Sequence, residues 1–68
     1  MLVDRYRLDL PGGFTLWDSS LLRSMAIAED RRATRIVAQF CRDSRRCEQQ
    51  VWPSLGPILV VADSDSAG

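Results

Sequence analysis

Apolar and charged residues alternate near the start of the chain, and this pattern predicts a β-strand. The apolar residues of segment 2–10 fall on one side of an extended chain, and they are Leu2, Tyr6, Leu8 and Leu10. Pro11 and the two glycines after it supply a fixed backbone angle and two positions that tolerate positive φ. Because residues 14–17 resume a β-prone apolar run, we predict a hairpin that turns across residues 11–13.

A long segment without glycine or proline follows the hairpin and predicts a helix. Residues 19–51 contain neither residue type, Asp18 is a suitable N-cap, and Pro53 disfavours helical geometry at the residue before it. Successive steps of about 100° bring six apolar residues into an arc of about 60°. These residues are Leu22, Ala33, Ile36, Phe40, Cys47 and Val51. The periodicity therefore predicts one long amphipathic helix, most clearly over residues 33–51.

The same segment allows an alternative interpretation. Residues 34–40 are rich in β-branched and aromatic side chains, which are typical of a strand, but a strand would distribute the arginines over both of its faces. A continuous helix over residues 19–51 would be about 50 Å long, whereas a compact chain of this size has a diameter of about 28 Å. We therefore predict either a kink near residues 29–32, where the stripe turns polar, or packing of the helix against a second copy.

The predicted helix carries an apolar stripe suited to self-association. The residues assigned to this homodimer contact are Leu22, Ile36, Phe40, Cys47 and Val51. A short apolar run at residues 58–62 predicts a C-terminal strand beside the hairpin. The predicted fold class is thus α+β, with an N-terminal β-hairpin, one long amphipathic helix and a short C-terminal strand, assembled as a homodimer. Residues 1–62 form the single domain, and residues 63–68 form a flexible acidic tail.

Composition limits the chemistry that the chain can perform. Its 68 residues contain no histidine, which removes the usual general base and the commonest metal ligand. The spacing of Cys41 and Cys47 fits no zinc or redox motif, and no serine has a histidine to activate it. We therefore predict that the protein is not an enzyme and uses no cofactor and no metal. A charged N-terminal segment without an apolar signal region predicts a cytoplasmic location.

Charge is balanced overall but unevenly distributed along the chain. The nine basic residues, all arginines, match nine acids, and seven of the arginines lie within residues 23–46 beside only three acids. The helical wheel that collects the apolar stripe places five of them on the opposite side: Arg31, Arg35, Arg42, Arg45 and Arg46. We predict that these arginines form a partner-binding surface, with Trp52 at the end of the helix as an exposed anchor.

The arginine surface predicts a function in binding. Forked guanidinium groups suit acidic protein surfaces and phosphates alike, while acidic residues on the apolar side of the helix disfavour a membrane partner. We predict a small non-enzymatic binding protein, a stoichiometric regulator or inhibitor of a macromolecular partner, which would be an acidic protein. The alternative is a nucleic-acid-binding transcriptional or mobile-element regulator that uses the same arginines, and a third interpretation is that the arginines contact only water.

Overall fold

One antiparallel sheet and one helix make up residues 2–63, the part of the chain that a computed structural model describes. The elements in chain order are β1 (Arg5–Leu10), β2 (Phe14–Asp18), α1 (Leu21–Arg31), β3 (Arg35–Arg42), β4 (Arg45–Trp52) and β5 (Ile58–Asp63). The five strands lie in the order β2-β1-β3-β4-β5, and α1 packs against β1, β2 and β3. The predicted α+β class is confirmed, although strands rather than a helix form most of the fold.

The N-terminal hairpin is confirmed by the structure. A short 3-10 turn over Pro11–Gly13 joins β1 to β2, and within it Gly12 and Gly13 adopt φ values of 84° and 81°. Residues with a Cβ rarely enter this left-handed region, so the two glycines allow the tight reversal. β1 also pairs with β3, which places the first strand inside the sheet rather than at its edge.

The long helix predicted over residues 19–51 is wrong. α1 stops at Arg31 because Arg32 takes a left-handed conformation, with φ of 55°, and donates its backbone N–H to the Ala28 carbonyl. Most of residues 34–40 belong to β3, as the alternative interpretation had it. The polar stretch at residues 29–32, which predicted a kink, contains the end of the helix instead.

A two-residue turn at Asp43 and Ser44 ends β3 and starts β4. Both residues have positive φ, 52° and 62°, and Arg42 pairs with Arg45 across the turn. This combination is expected of a type I′ hairpin turn, whose second position is usually glycine. Because no glycine is present, the sequence carries only a weak signal for the chain reversal.

The start of α1 lies beyond the predicted cap at Asp18. Ser20 is the N-cap, and its Oγ accepts the backbone N–H of Arg23 at 3.2 Å. The Asp18 carboxylate lies two residues before this cap. It accepts the backbone N–H of Ser20 at 2.8 Å and a guanidinium N–H of Arg23 at 2.7 Å. The aspartate therefore orders the entry to the helix without capping it.

The core is built from alternating strand residues, and α1 covers part of it. Leu8 and Ile36 lie opposite each other on β1 and β3, and neither exposes any surface. Full burial of one such side chain stabilises a fold by about 1.5 to 3 kcal/mol. The buried residues form two clusters, one of Leu8, Ala28, Ala33 and Ile36 and one of Ala38, Phe40 and Cys47.

The stripe predicted for self-association belongs to this core and is not a surface. Ile36, Phe40 and Cys47 expose at most 2% of their area, and Val51 packs against both clusters. Among the five predicted residues, Leu22 alone is exposed, at 81%. The stripe was assigned on a helical wheel, whereas most of this segment forms strands whose inward side chains recur at every second residue. Three of the five residues therefore have no surface left for a second copy.

The C-terminal strand is confirmed and extends one residue further than predicted, but its predicted position beside the N-terminal hairpin is wrong. β5 pairs with β4 and lies at the opposite edge of the sheet from β2. Asp63, predicted as the first residue of the acidic tail, is the last residue of β5. The rest of the predicted tail, residues 64–68, lies outside the described residues. Within residues 2–63, no helix combines the length and the apolar character that crossing a membrane requires.

Phe40→Ala should unfold a large part of the population. Phe40 is 2% exposed, and truncation of a buried phenylalanine costs about 3 to 5 kcal/mol, close to the total of about 5 kcal/mol expected of so small a domain. Phe14→Ala is the matched control, because Phe14 is 70% exposed on β2. Thermal melts followed by circular dichroism measure both variants. Equal melting temperatures would contradict the burial of Phe40.

Protonation of Asp18 should weaken the fold in acid. The hydrogen bond from Arg23, followed by that from the Ser20 backbone, lowers the pKa of Asp18 from 3.8 to about 2. Because the folded pKa lies below the unfolded one, the carboxylate stabilises the fold above about pH 4, and this contribution is lost as the pH falls towards about 2. Urea midpoints should therefore drop in acid for the wild type and drop less for Asp18→Asn. Parallel pH profiles of the two proteins would show that the Asp18–Arg23 pair contributes nothing to stability.

Candidate functional site

Within residues 2–63, no helix packs on the face of the sheet opposite α1, and we call it the open face. Successive side chains of a strand point to opposite faces, so the burial of Leu8 and Ile36 beneath α1 turns their neighbours to the other side. Polar and aromatic side chains surround a few apolar ones there. The residues of the open face include Arg5, Arg7, Asp9, Trp17, Arg35, Val37, Gln39, Cys41, Arg46, Glu48, Gln50, Leu59 and Val61.

A network of ion pairs crosses three strands of the open face. Arg7 on β1 reaches Asp9 with its Nε at 3.0 Å and Glu48 on β4 with its Nη1 at 3.3 Å. Arg35 on β3 donates its Nε to the second oxygen of Asp9 at 2.6 Å. Gln39 donates an amide N–H to Glu48 at 2.6 Å. Each carboxylate therefore accepts from two donors, and the network links β1, β3 and β4 through side chains as well as backbone.

The network also shields an apolar residue from water. Val37 lies on the open face but exposes only 4% of its surface. Its cross-strand neighbours are Arg7 on β1 and Gln50 on β4, and Arg35 and Glu48 line the same depression. Long charged side chains can cover apolar surface with their methylene groups while their charged ends stay in contact with water. The ion pairs are therefore partly structural, because they hold these stems over Val37.

Asp9 remains ionised at neutral pH and balances the two arginines beside it. Burial raises the pKa of Asp9, but the hydrogen bonds from Arg35 and Arg7 lower it by more, so the pKa lies below its ordinary value of 3.8. The hydrogen bonds are effective because charge-assisted contacts are about twice as strong as neutral ones. The centre of the open face is therefore close to electrically neutral.

Arg5 is held in place on the open face by Trp17, and no carboxylate within residues 2–63 neutralises its charge. The Arg5 guanidinium carbon lies 3.9 Å from the centre of the Trp17 ring, a cation–π distance, and its Nε donates to the Gln39 side chain at 2.9 Å. Trp17 is 47% exposed. Among residues 2–63, no carboxylate pairs with Arg5. The remaining guanidinium N–H groups are thus held in place and open to an incoming acceptor.

Two depressions on the open face adjoin each other at Glu48. One has a volume of about 540 Å³ and is lined by Arg5, Gln39, Arg46 and Val61 among others, and the second, of about 430 Å³, is lined by Arg7, Val37 and Leu59 among others. Leu59 and Val61 are 57% and 55% exposed. The open face therefore offers arginines on one side and exposed aliphatic side chains of β5 on the other.

The predicted arginine surface is divided between three places. Arg35 and Arg46 lie on the open face. Arg42 and Arg45 face each other at the end of the β3–β4 hairpin, on the side of the sheet that bears α1. Arg31 lies in the last turn of α1. The helical wheel that grouped the five residues does not apply to strands, which alternate between faces.

Trp52 is not the exposed anchor that its position before Pro53 predicts. It is the last residue of β4, opposite Ile36, and it packs half-buried against the cluster that contains Leu8. The aromatic residue that does present a surface beside an arginine is Trp17, which was not among the predicted site residues. Alternation in β1 was the available signal, because it places Arg5, Arg7 and Asp9 on one side of the strand.

The open face offers a binding partner charged groups, hydrogen-bonding groups and apolar surface. No group of three or more histidine, cysteine or acidic side chains within residues 2–63 is placed to hold a metal ion. Both cysteines are free thiols, with Cys41 exposed and Cys47 buried. Comparison with known proteins finds no matching family model, no matching curated protein and no matching solved structure. The proposal for function therefore rests on the geometry of the open face.

The two arginines of the network should differ in their effect on stability. Arg7→Gln removes contacts to Asp9 and Glu48 from a side chain that is only 22% exposed, and we expect a cost of about 1 to 2 kcal/mol. Arg35 is 49% exposed and pairs with Asp9 alone, so Arg35→Gln should cost less than about 0.5 kcal/mol after solvent screening. Urea unfolding at neutral pH measures both values. A larger loss for Arg35→Gln would contradict the bridging role of Arg7.

Proposed function

We propose that the protein is a small non-enzymatic binding protein whose open face engages an acidic surface of a protein partner in fixed stoichiometry. The observation that carries the proposal is the Arg5–Trp17 stack, in which a cation lies against an exposed ring and has no carboxylate partner within residues 2–63. Arg46 likewise has no carboxylate partner there. Acidic groups on a partner would neutralise both.

The composition of the open face supports protein binding. Tryptophan and arginine are enriched among the residues that contribute most to protein interfaces, and they act best beside apolar contacts that exclude water. Trp17 provides the aromatic surface, and Leu59 and Val61 provide exposed aliphatic surface on β5. Arg5 is already held by Trp17 and Gln39, so binding would cost it less conformational entropy than a free arginine loses.

The acidic residues of the open face favour a protein over a nucleic acid. Asp9 and Glu48 lie between the arginines, and a phosphate backbone that crossed the sheet would pass close to both carboxylates. A protein partner can place its acidic groups at Arg5 and Arg46 and its apolar groups at Leu59. The overall charge of zero also gives the chain no general attraction to polyanions.

Arg5→Gln combined with Arg46→Gln should abolish partner binding while leaving the fold intact. The tagged wild type is used to isolate its partner from the native host, and titration calorimetry then measures affinity and stoichiometry with the purified partner. Loss of two interface arginines should weaken binding by at least about 30-fold. Arg31→Gln combined with Arg42→Gln is the matched control, since it removes the same charge away from the open face. Equal losses in both double variants would overturn the proposal.

The nucleic-acid alternative is tested with the same proteins. A fluorescein-labelled single strand and a duplex of about 20 nucleotides should bind no more tightly than about 100 µM at about 0.15 M salt, the weak end of non-specific binding. Fluorescence anisotropy measures the affinity. Tight binding that falls steeply with salt and depends on Arg5 and Arg46 would replace the acidic protein partner with a nucleic acid.

A further inference from the structure

β5 is an edge strand, and one side of its backbone is open. It pairs with β4, and within residues 2–63 no strand lies along its other side. Three consecutive residues of β5 are more than half exposed: Leu59 at 57%, Val60 at 56% and Val61 at 55%. Because neighbouring side chains of a strand point to opposite faces, water reaches β5 from both faces as well as along its edge.

The open edge of β5 has little protection against pairing with another chain. Proteins usually block such edges with charged residues, prolines or bulges. Residues 58–62 are all apolar, with neither a charge nor a proline among them. β5 does contain a bulge, because its register with β4 shifts between Val60 and Ala62. A bulge disturbs the ladder only locally, so the backbone of Ile58, Leu59 and Val60 stays available for regular pairing.

Depressions lie beside β5 on both faces of the sheet. On the open face, Leu59 lines the depression of about 430 Å³, and Val61 and Ala62 line the one of about 540 Å³. On the face that bears α1, Ile58 and Val60 line a groove of about 450 Å³. When an extended segment pairs with the edge of a sheet, pockets for its alternate side chains give specificity. β5 therefore has space for such side chains on each face.

Charge beside β5 is concentrated at one end of the strand. Arg46 on β4 lies opposite Ala62, whose small side chain leaves room for the arginine to reach the edge. Asp4 and Glu48 line the same depression, but neither forms an ion pair with Arg46. The end of β5 at Ala62 therefore suits an acidic side chain, whereas the rest of the strand suits apolar ones.

A second copy of β5 does not match this distribution of charge. If two β5 strands paired over their full length in the antiparallel arrangement of the rest of the sheet, Ala62 of each copy would lie opposite Ile58 of the other. Residues 54–58 contain no acidic residue, so Arg46 would gain no partner. A segment of another protein that carries both apolar and acidic side chains matches both parts of the edge.

We propose that the acidic partner adds an extended segment to β5 as a sixth strand, with apolar side chains beside Leu59 and Val60 and an acidic side chain beside Arg46. Hydrogen bonds to the open backbone edge supply affinity, and the alternating side chains supply specificity. Because the segment runs antiparallel to β5, its acidic residue precedes its apolar ones. This inference rests on the proposed function, since it names the part of the acidic partner that the chain binds.

Three end-blocked synthetic peptides of the sequence Thr-Glu-Val-Val-Thr test this mode of binding. One has an unmodified backbone, one carries N-methyl groups at its odd positions, and one carries them at its even positions. Alternate N–H groups of a strand point to opposite edges, so one methylated peptide should bind like the unmodified peptide and the other at least about 10-fold more weakly. Amide chemical shifts of the isotope-labelled protein, at up to about 5 mM peptide, measure these affinities and should change most in β5.

Arg46→Gln should weaken binding of the unmodified peptide about 3-fold through loss of an exposed ion pair. Arg31→Gln, in the last turn of α1, is the matched control and should leave binding unchanged. Equal affinities of the two methylated peptides, no binding by the unmodified one, or equal effects of the two variants would each overturn the inference. Shifts in β5 that depend on protein concentration alone would replace the acidic segment with a second copy. Calorimetry with the purified partner tests the proposed function separately, so peptides that fail to bind leave that result unaffected.

Discussion

Leu8 and Ile36 face each other across β1 and β3 with no exposed surface, and Ala28 of α1 is buried in the same cluster. This contact determines the orientation of every residue on β1, because side chains alternate along a strand. Arg5, Arg7 and Asp9 must then lie on the opposite face. One buried pair thus creates both the covered side of the sheet and the charged open face.

The two sides of the sheet differ in character. On the open face the central charges neutralise one another and shield Val37, so the binding potential lies at the periphery, with Arg5 and Trp17 at one edge and the aliphatic residues of β5 at the other. The opposite side forms the core, where Leu8, Ile36 and Phe40 are buried in two clusters.

The candidate site was predictable only in part. Arg35 and Arg46 were assigned to a partner-binding surface and lie on the open face, whereas Arg42 and Arg45 lie on the other side of the sheet. Whether any of them binds a partner remains a prediction. Trp17 was not assigned, because its contact with Arg5 joins residues from different strands, and only the β1–β2 register brings them together.

The sequence by itself determined the hairpin and the presence of β5, because a Pro-Gly-Gly turn and a short apolar run have strong local preferences. The position of β5 at the far edge of the sheet depends on its pairing with β4, which the sequence did not indicate. The sequence alone did not decide whether the middle segment forms a helix or strands. Ile36 and Phe40 are four residues apart, as are Cys47 and Val51, and that spacing places two side chains on one face of a helix or of a strand alike. The chain reversals use Arg32, Asp43 and Ser44 at positive φ, without glycine. Tertiary structure decided the outcome, because β3 and β4 satisfy the backbone hydrogen bonds of β1 and β5, which a helix would have left unpaired.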